Sequence, residues 1–138
     1  MTRSRSLGFA VLLACSTLVW GNALAQDVRL TGEQEVPPNT STAVGTGSIK
    51  VDADGNVTGS VSAPTLTAAR AAHIHLGAPG QNGPPIITLN GGDIGTWTVP
   101  EGARLTPVQV QSYKAGNLYV NVHTEAHPGG EIRTQLKP

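Results

Sequence analysis

The sequence contains very little sulfur, with one cysteine, Cys15, and one methionine, Met1, in 138 residues. Both lie in the first 25 residues, which have the features of an export signal and would be absent from the mature chain. A mature domain without cysteine forms no disulfide, so its stability must come from its core alone. Any metal site in it must use nitrogen and oxygen ligands, which excludes thiolate zinc sites and blue-copper sites.

The N-terminal segment predicts a cleaved signal peptide. A positively charged start precedes an apolar run, and Ala23-Leu24-Ala25 forms a small-x-small cleavage site. The apolar run is too short to predict a membrane span, so we expect no transmembrane helix in the mature chain. The predicted organisation is a signal peptide over 1–25 and one secreted or periplasmic domain over 26–138. A lipobox-like segment that ends at Cys15 gives a lipid-anchored form as the alternative.

The sequence also lacks an excess of positive charge. The whole chain has 9 Lys and Arg and 9 Asp and Glu, and removing the signal with its two arginines leaves a net charge of −2. No basic patch or stripe is present, so we expect no nucleic-acid partner. The sequence has no Gly-x-Ser-x-Gly elbow and no recognisable Ser-His-Asp set, which favours a binding module over an enzyme.

Glycine and proline are abundant instead, with 17 and 10 residues, and they separate short segments in which apolar and polar residues alternate. The predicted strands are 27–31, 45–51, 57–61, 69–76, 86–89, 95–99, 117–123 and 131–136. Their spacing predicts an all-β fold, an antiparallel Greek-key-like β-sandwich of about seven or eight strands. Thr106-Pro107 predicts the start of one short crossover helix, which Gly116 ends.

All four histidines of the chain fall in two short segments. Residues two apart on a strand share a face, so His73 and His75 project together. On the strand 117–123, His123 projects from the face opposite the aliphatic side chains, and His127 follows in the next loop. If the aliphatic faces form the core, three histidines lie on the outer face of the sheet.

Neutral imidazoles are good ligands for Cu(II) and Zn(II). We therefore predict a copper or zinc site with His73, His75, His123 and His127 as ligands. The prediction requires the two histidine strands to be neighbours, which the sequence does not decide. In the alternative, the histidines bind loop carbonyls and order two Gly/Pro-rich loops of a protein- or glycan-binding module that holds no metal.

Two other polar groups receive structural interpretations. Glu131 and Arg133 share a strand face, where they could form a cross-strand ion pair. Asp52, Asp54 and Asn56 resemble the start of a calcium loop, but the glycine and the glutamate that such a loop requires further along are missing. A hairpin turn is therefore predicted there.

Two segments of the sequence resemble the signature blocks of the chordin-type (CHRD) domain family. Residues 71–89 contain His-Ile-His followed by Gly-x-x-Gly-x-x-Gly-Pro, and residues 118–136 contain Tyr-Val-Asn-Val-His-Thr and Pro-Gly-Gly-Glu-Ile-Arg. One departure is Thr134, where many members have glycine. The resemblance implies a β-sandwich module over 26–138, in a single-domain exported bacterial member, and it transfers no partner.

A looser similarity concerns the arrangement of the histidines. It resembles the copper-ligand layout of copper/zinc superoxide dismutase, which is also a sandwich. By that comparison His73, His75 and His123 would bind copper, with His127 as a fourth ligand. A disulfide pair and a zinc subsite with its aspartate are missing. A dismutase-like metalloenzyme is therefore the lesser alternative, and metal holding or structural locking is the main prediction.

Overall fold

Residues 25–138, which the computed structural model describes, form nine β-strands, one α-helix and one 3-10 turn. The predicted signal peptide and the lipid-anchor alternative at Cys15 fall on residues 1–24, outside this range. The strands are β1 (Gln26–Thr31), β2 (Val44–Val51), β3 (Val57–Ser62), β4 (Ala69–Leu76), β5 (Pro85–Thr88), β6 (Asn90–Gly91), β7 (Thr96–Thr98), β8 (Leu118–Thr124) and β9 (Ile132–Leu136). The helix α1 spans Pro107–Lys114, and the 3-10 turn spans Gly32–Gln34.

The nine strands form one antiparallel sheet in the order β5-β4-β8-β9-β1-β2-β3-β7-β6. The two strands at its ends, β5 and β6, follow one another in the chain with only Leu89 between them. The sheet therefore folds back on itself into a nearly closed barrel or sandwich, and the predicted fold class is confirmed. The additional strand is β6, whose two residues are too few to show any alternation.

The core lies inside the folded sheet and contains aliphatic side chains from both ends of it. On β4, Ala72 and Ile74 are buried, and they face Val120 and Val122 of β8. Complete burial of a valine or isoleucine side chain contributes about 1.5–3 kcal/mol to the free energy of unfolding. Trp97 of β7 is the largest fully buried residue of the core. The remaining face of β4 and β8 carries the histidines.

Helix α1 connects β7 to β8 and begins where the sequence predicts. The hydroxyl of Thr106 accepts a hydrogen bond from the Gln109 amide, while the Gln109 side chain accepts one from the Thr106 amide, which forms a capping box. Gly116, at φ 76°, follows the last turn. Among the described residues, none of the helices is long and apolar enough to cross a membrane.

The β2–β3 hairpin turn is built around Asp52. Its Oδ1 accepts hydrogen bonds from the amides of Asp54 and Asn56, both at 2.9 Å, and its Oδ2 accepts one from the Asn56 side chain at 2.8 Å. These hydrogen bonds lower the pKa of Asp52, and the one from the Asn56 side chain has the largest effect. The carboxylate is thus engaged in holding the turn, as the hairpin interpretation predicts.

Candidate metal centre

The two histidine strands are neighbours in the sheet, which the sequence had left open. In the β4–β8 register, His73 lies opposite Asn121, and Ala71 lies opposite His123. Residues at such directly opposite and diagonal positions on one face of an antiparallel pair are close enough to interact. The register therefore places His73, His75 and His123 together on the face that points away from the apolar core.

These three histidines form a compact group. One ring nitrogen from each lies within 4.8 Å of the others. The ring centroids of His73 and His123 are 4.8 Å apart, and His75 lies 5.5 Å and 5.7 Å from them. Ligand nitrogens about 2.0–2.1 Å from one ion lie about 3.3 Å apart in a tetrahedral site and about 4.2 Å apart when opposite each other, so the rings must approach one another by roughly 0.6 to 1.5 Å on binding.

The structure does not bring the fourth predicted ligand, His127, into this group. His127 lies in the turn after β8, where its amide donates to the Thr124 hydroxyl at 3.1 Å and its carbonyl accepts from the Gly130 amide at 3.0 Å. It lines a separate cavity together with Glu35. The histidine set at the candidate centre is therefore His73, His75 and His123.

Backbone carbonyls fix the orientation of two of the three rings. His75 Nδ1 lies 2.9 Å from the carbonyl of Gly83, and His123 Nδ1 lies 2.9 Å from the carbonyl of Pro128. A carbonyl can only accept a hydrogen bond, so Nδ1 carries the proton in both rings. The lone pair then resides on Nε2, which is the arrangement that holds a histidine ligand in place.

Of the four other ring nitrogens, three have no hydrogen-bond partner. They are His73 Nδ1, His75 Nε2 and His123 Nε2, and all three atoms are buried. The His75 side chain as a whole is only 7% exposed. Buried polar atoms in proteins nearly always find a partner, because an unpaired one costs about 1–3 kcal/mol. Three such atoms on adjacent rings indicate a ligand position.

The protonation state of the group suits metal binding. Burial lowers the pKa of His73, and the neighbouring imidazoles of His123 and His75 lower it further. Burial also lowers the pKa of His75, although the hydrogen bond to the Gly83 carbonyl opposes part of the change. Both rings are therefore neutral at neutral pH, the form in which imidazole binds metals.

A pH titration of the metal-free protein should show this directly. We expect His73 and His75 to titrate below 6.5, the ordinary histidine value. Between 6.5 and the lowered pKa values the unfolded chain binds more protons than the folded one, so these groups reduce the free energy of unfolding as the pH falls through that interval. NMR titration of the imidazole resonances measures the midpoints. Midpoints at or above 6.5 would contradict the burial of the His73 and His75 rings.

The histidines lie on the sheet face that points away from the core, and the loop between β4 and β5 folds over part of that face. The Gly83 amide donates to the Tyr119 hydroxyl at 3.2 Å, and the Gly83 carbonyl accepts from His75. A Cβ atom on Gly83 would collide with the Leu76 carbonyl, so only glycine permits this close approach. This covering loop therefore encloses a polar layer between itself and the outer face of the sheet.

The side chains of Tyr119 and Arg133 stack behind the His75 ring. The Tyr119 ring lies parallel to the His75 ring, with 4.7 Å between centroids and 5° between planes. The Arg133 guanidinium lies on the other side of Tyr119, 3.4 Å from the ring centroid. Arg133 also donates to the Gln81 carbonyl at 2.9 Å and to the Asn82 side chain at 3.2 Å. It thereby attaches the covering loop to the sheet.

Glu35 lies next to the histidine face, where it contacts Asn121, and no pattern in the sequence points to it. It follows the 3-10 turn, has no strand periodicity, and is 4% exposed. Its carboxylate accepts a hydrogen bond from the Asn121 side chain at 3.4 Å. Burial raises the pKa of Glu35, against the opposing effects of Asn121 and Arg133. As the pH rises through the raised pKa of Glu35, this group lowers the free energy of unfolding, whereas His73 and His75 lower it as the pH falls.

Glu131 does not pair with Arg133 in the described part of the chain. Its carboxylate accepts hydrogen bonds from the Ser41 hydroxyl at 2.7 Å and the Thr124 hydroxyl at 2.6 Å. The predicted ion pair is therefore wrong. Both residues instead hold loops against the sheet, Glu131 on the β1–β2 connection and Arg133 on the β4–β5 loop.

A shallow cleft of about 440 Å³ opens onto the histidine group from solvent. It is lined by Arg70, Ala71, His73, His75, Pro85, His123, Thr124, Glu125 and Pro128. Arg70 and Glu125 form an ion pair, and their side chains are 65% and 56% exposed. The histidines thus have a route to solvent on one side and the covering loop on the other.

Comparison with known proteins agrees with this architecture. A family model described as the CHRD domain matches residues 27–136, a span that includes both histidine strands and the covering loop. Domains of this family are typically extracellular. No curated protein and no solved structure matches the chain. Because the match extends over most of the sequence, the chain belongs to the CHRD domain family.

Proposed function

We propose that this CHRD domain binds a divalent metal ion, copper or zinc, through His73, His75 and His123. One observation carries the proposal: three buried and unpartnered imidazole nitrogens lie together on adjacent strands. Two of the rings are held by backbone carbonyls with the lone pair on the unpartnered nitrogen. A ligand shell of neutral imidazoles suits Cu(II) and Zn(II) equally in its donor type.

The position of the group favours a role in metal holding or structural locking. An ion at this centre would connect β4 to β8 and, through the two carbonyls, the loops that contain Gly83 and Pro128. A ligand that binds only the folded state at 100 times its Kd adds about 2.7 kcal/mol to the free energy of unfolding. In a secreted or periplasmic setting, such binding would both retain the ion and stabilise a domain without disulfides.

A second candidate function follows from the same hydrogen bonds. In a protein- or glycan-binding module, His75 and His123 would serve only to order the two loops, and their Nδ1 atoms do hold loop carbonyls. This role leaves both Nε2 atoms unexplained. It gives no role to His73, whose ring has an unpartnered Nδ1 and no hydrogen bond to a loop. His73 therefore distinguishes the two functions.

Metal titration of wild type and single variants tests the proposal. Tag-free protein of residues 26–138 would be assayed for bound metal and titrated with Cu(II) and Zn(II). We expect His73→Ala and His123→Ala to weaken binding by about 100-fold, because each removes one of three ligands. His127→Ala is the matched control and should stay within about threefold of wild type, since His127 lies outside the group. The proposal fails if wild type binds no more tightly than the first two variants.

A further inference from the structure

We infer that a metal ion held by His73, His75 and His123 keeps one coordination position open to the cleft, and that this position takes a small monodentate anion or water. The inference rests on the proposed metal binding and adds an exchangeable ligand to it. A centre of this kind binds a second, small molecule from solvent and is not a closed structural site.

Within residues 25–138, no fourth histidine and no cysteine or carboxylate lies within reach of the three imidazoles. The Asn121 side chain, opposite His73, has an unpartnered Oδ1, but a neutral amide oxygen suits magnesium or calcium and not copper or zinc. The nearby carboxylates are engaged elsewhere. Glu125 forms an ion pair with Arg70, Glu131 accepts hydrogen bonds from two hydroxyl groups, and Glu35 accepts one from the Asn121 side chain. Zinc takes at least four ligands, so three histidines leave a position unfilled.

The open position points toward the cleft because the opposite side is occupied. Behind His75, the Tyr119 ring and the loop carbonyl of Gly83 fill the space. On the cleft side, all three histidines line the opening, next to the small or apolar side chains of Ala71 and Pro85. Ala71 and Pro85 contribute no donor, and the oxygens of Thr124 and Glu125 in the same lining are engaged with Glu131 and Arg70.

The charge of the centre selects for an anion. Three neutral imidazoles do not reduce the double positive charge of the ion, and the adjacent walls are poor in polar groups, so the field at the open position is weakly screened. At the rim, Arg70 and Glu125 neutralise one another, which removes net repulsion toward an entering anion.

Azide binding to the copper-loaded protein tests this inference. Sodium azide would be titrated into wild type holding one equivalent of Cu(II), with the azide-to-copper absorption band and the electron paramagnetic resonance spectrum as readouts. We expect a saturable change that fits one site. If Cu(II) is bound by the histidines but azide changes neither spectrum, the inference is wrong and the proposed function stands. If Cu(II) is not retained, both fail.

A variant of the cleft wall locates the anion. Ala71 projects from β4 on the same face as His73 and lies opposite His123, so Ala71→Leu should fill the cleft without removing a ligand. We expect copper to be retained and the azide affinity to fall by about tenfold or more. Ala53→Leu, in the exposed β2–β3 turn, is the control and should match wild type. Equal azide affinity in Ala71→Leu and wild type would overturn entry through the cleft.

A measurement on wild type keeps the test independent of any variant. A paramagnetic ion with an exchangeable water accelerates the relaxation of bulk water protons. We expect Cu(II) loading to increase this relaxation rate and azide to reverse the increase, because both ligands compete for the same position. A relaxation rate equal to that of the metal-free protein, with copper bound, would exclude an open position. This result decides the question if Ala71→Leu fails to hold copper.

Discussion

Arg133→Met is expected to lower the free energy of unfolding by about 3 kcal/mol, because a buried cation with several partners would be lost. Arg133 is 1% exposed, stacks on Tyr119, and donates to the covering loop at Gln81 and Asn82. Methionine can fill most of the volume but satisfies none of these acceptors. It also removes the positive charge that favours the ionised form of the buried Glu35 carboxylate.

Denaturant unfolding of matched variants measures the effect. Arg70→Met is the control, since Arg70 forms an exposed ion pair of a kind that contributes at most about 1 kcal/mol. Adding Glu35→Gln to Arg133→Met should recover part of the loss, because the buried charge is then removed. If Arg133→Met is as mild as Arg70→Met, the polar layer on the histidine face contributes little to stability, contrary to this interpretation.

Gly83→Ala is the second substitution for which a large effect is expected, about 2–3 kcal/mol in the free energy of unfolding. The added Cβ would collide with the Leu76 carbonyl, which is backbone and cannot rotate away. The loop must then lift from the sheet, and His75 loses the carbonyl that sets its tautomer. We therefore also expect metal affinity to fall by about tenfold, as for loss of other groups that orient a ligand.

The control for this substitution is Gly129→Ala in the turn after β8. A Cβ atom at Gly129 would meet no atom within 4 Å, so the variant should behave like wild type in thermal unfolding and in metal titration. Comparable losses in Gly83→Ala and Gly129→Ala would contradict the assigned role of the close approach at Gly83, because alanine at a compatible glycine position is expected to stabilise slightly.

Regular alternation made most of the fold predictable. The limits predicted for β4, 69–76, agree with the structure, because its residues alternate between the buried core face and the half-buried face that carries the histidines. A capping hydroxyl at Thr106 followed by proline at 107 likewise located the start of α1. Local sequence could not predict β6, since its two residues, Asn90 and Gly91, are too few to show alternation.

The candidate site was predictable only in part. Period-two spacing places His73, His75 and His123 on one type of face, but the pairing of β4 with β8 depends on how the intervening chain folds. The assignment of His127 to the same set relied on closeness in sequence, whereas the hydrogen bonds of its turn hold it away from the group. The burial of Glu35 beside Asn121 likewise results from tertiary packing.

The way the sheet closes determines how a macromolecular partner could bind. The two end strands, β5 and β6, are only four and two residues long, and β5 begins with a proline that has no amide to donate. A guest strand needs a longer row of unpaired amides, so strand addition at these two ends is disfavoured. β4 and β8, each paired on both sides, hold the histidines in fixed register away from any free edge.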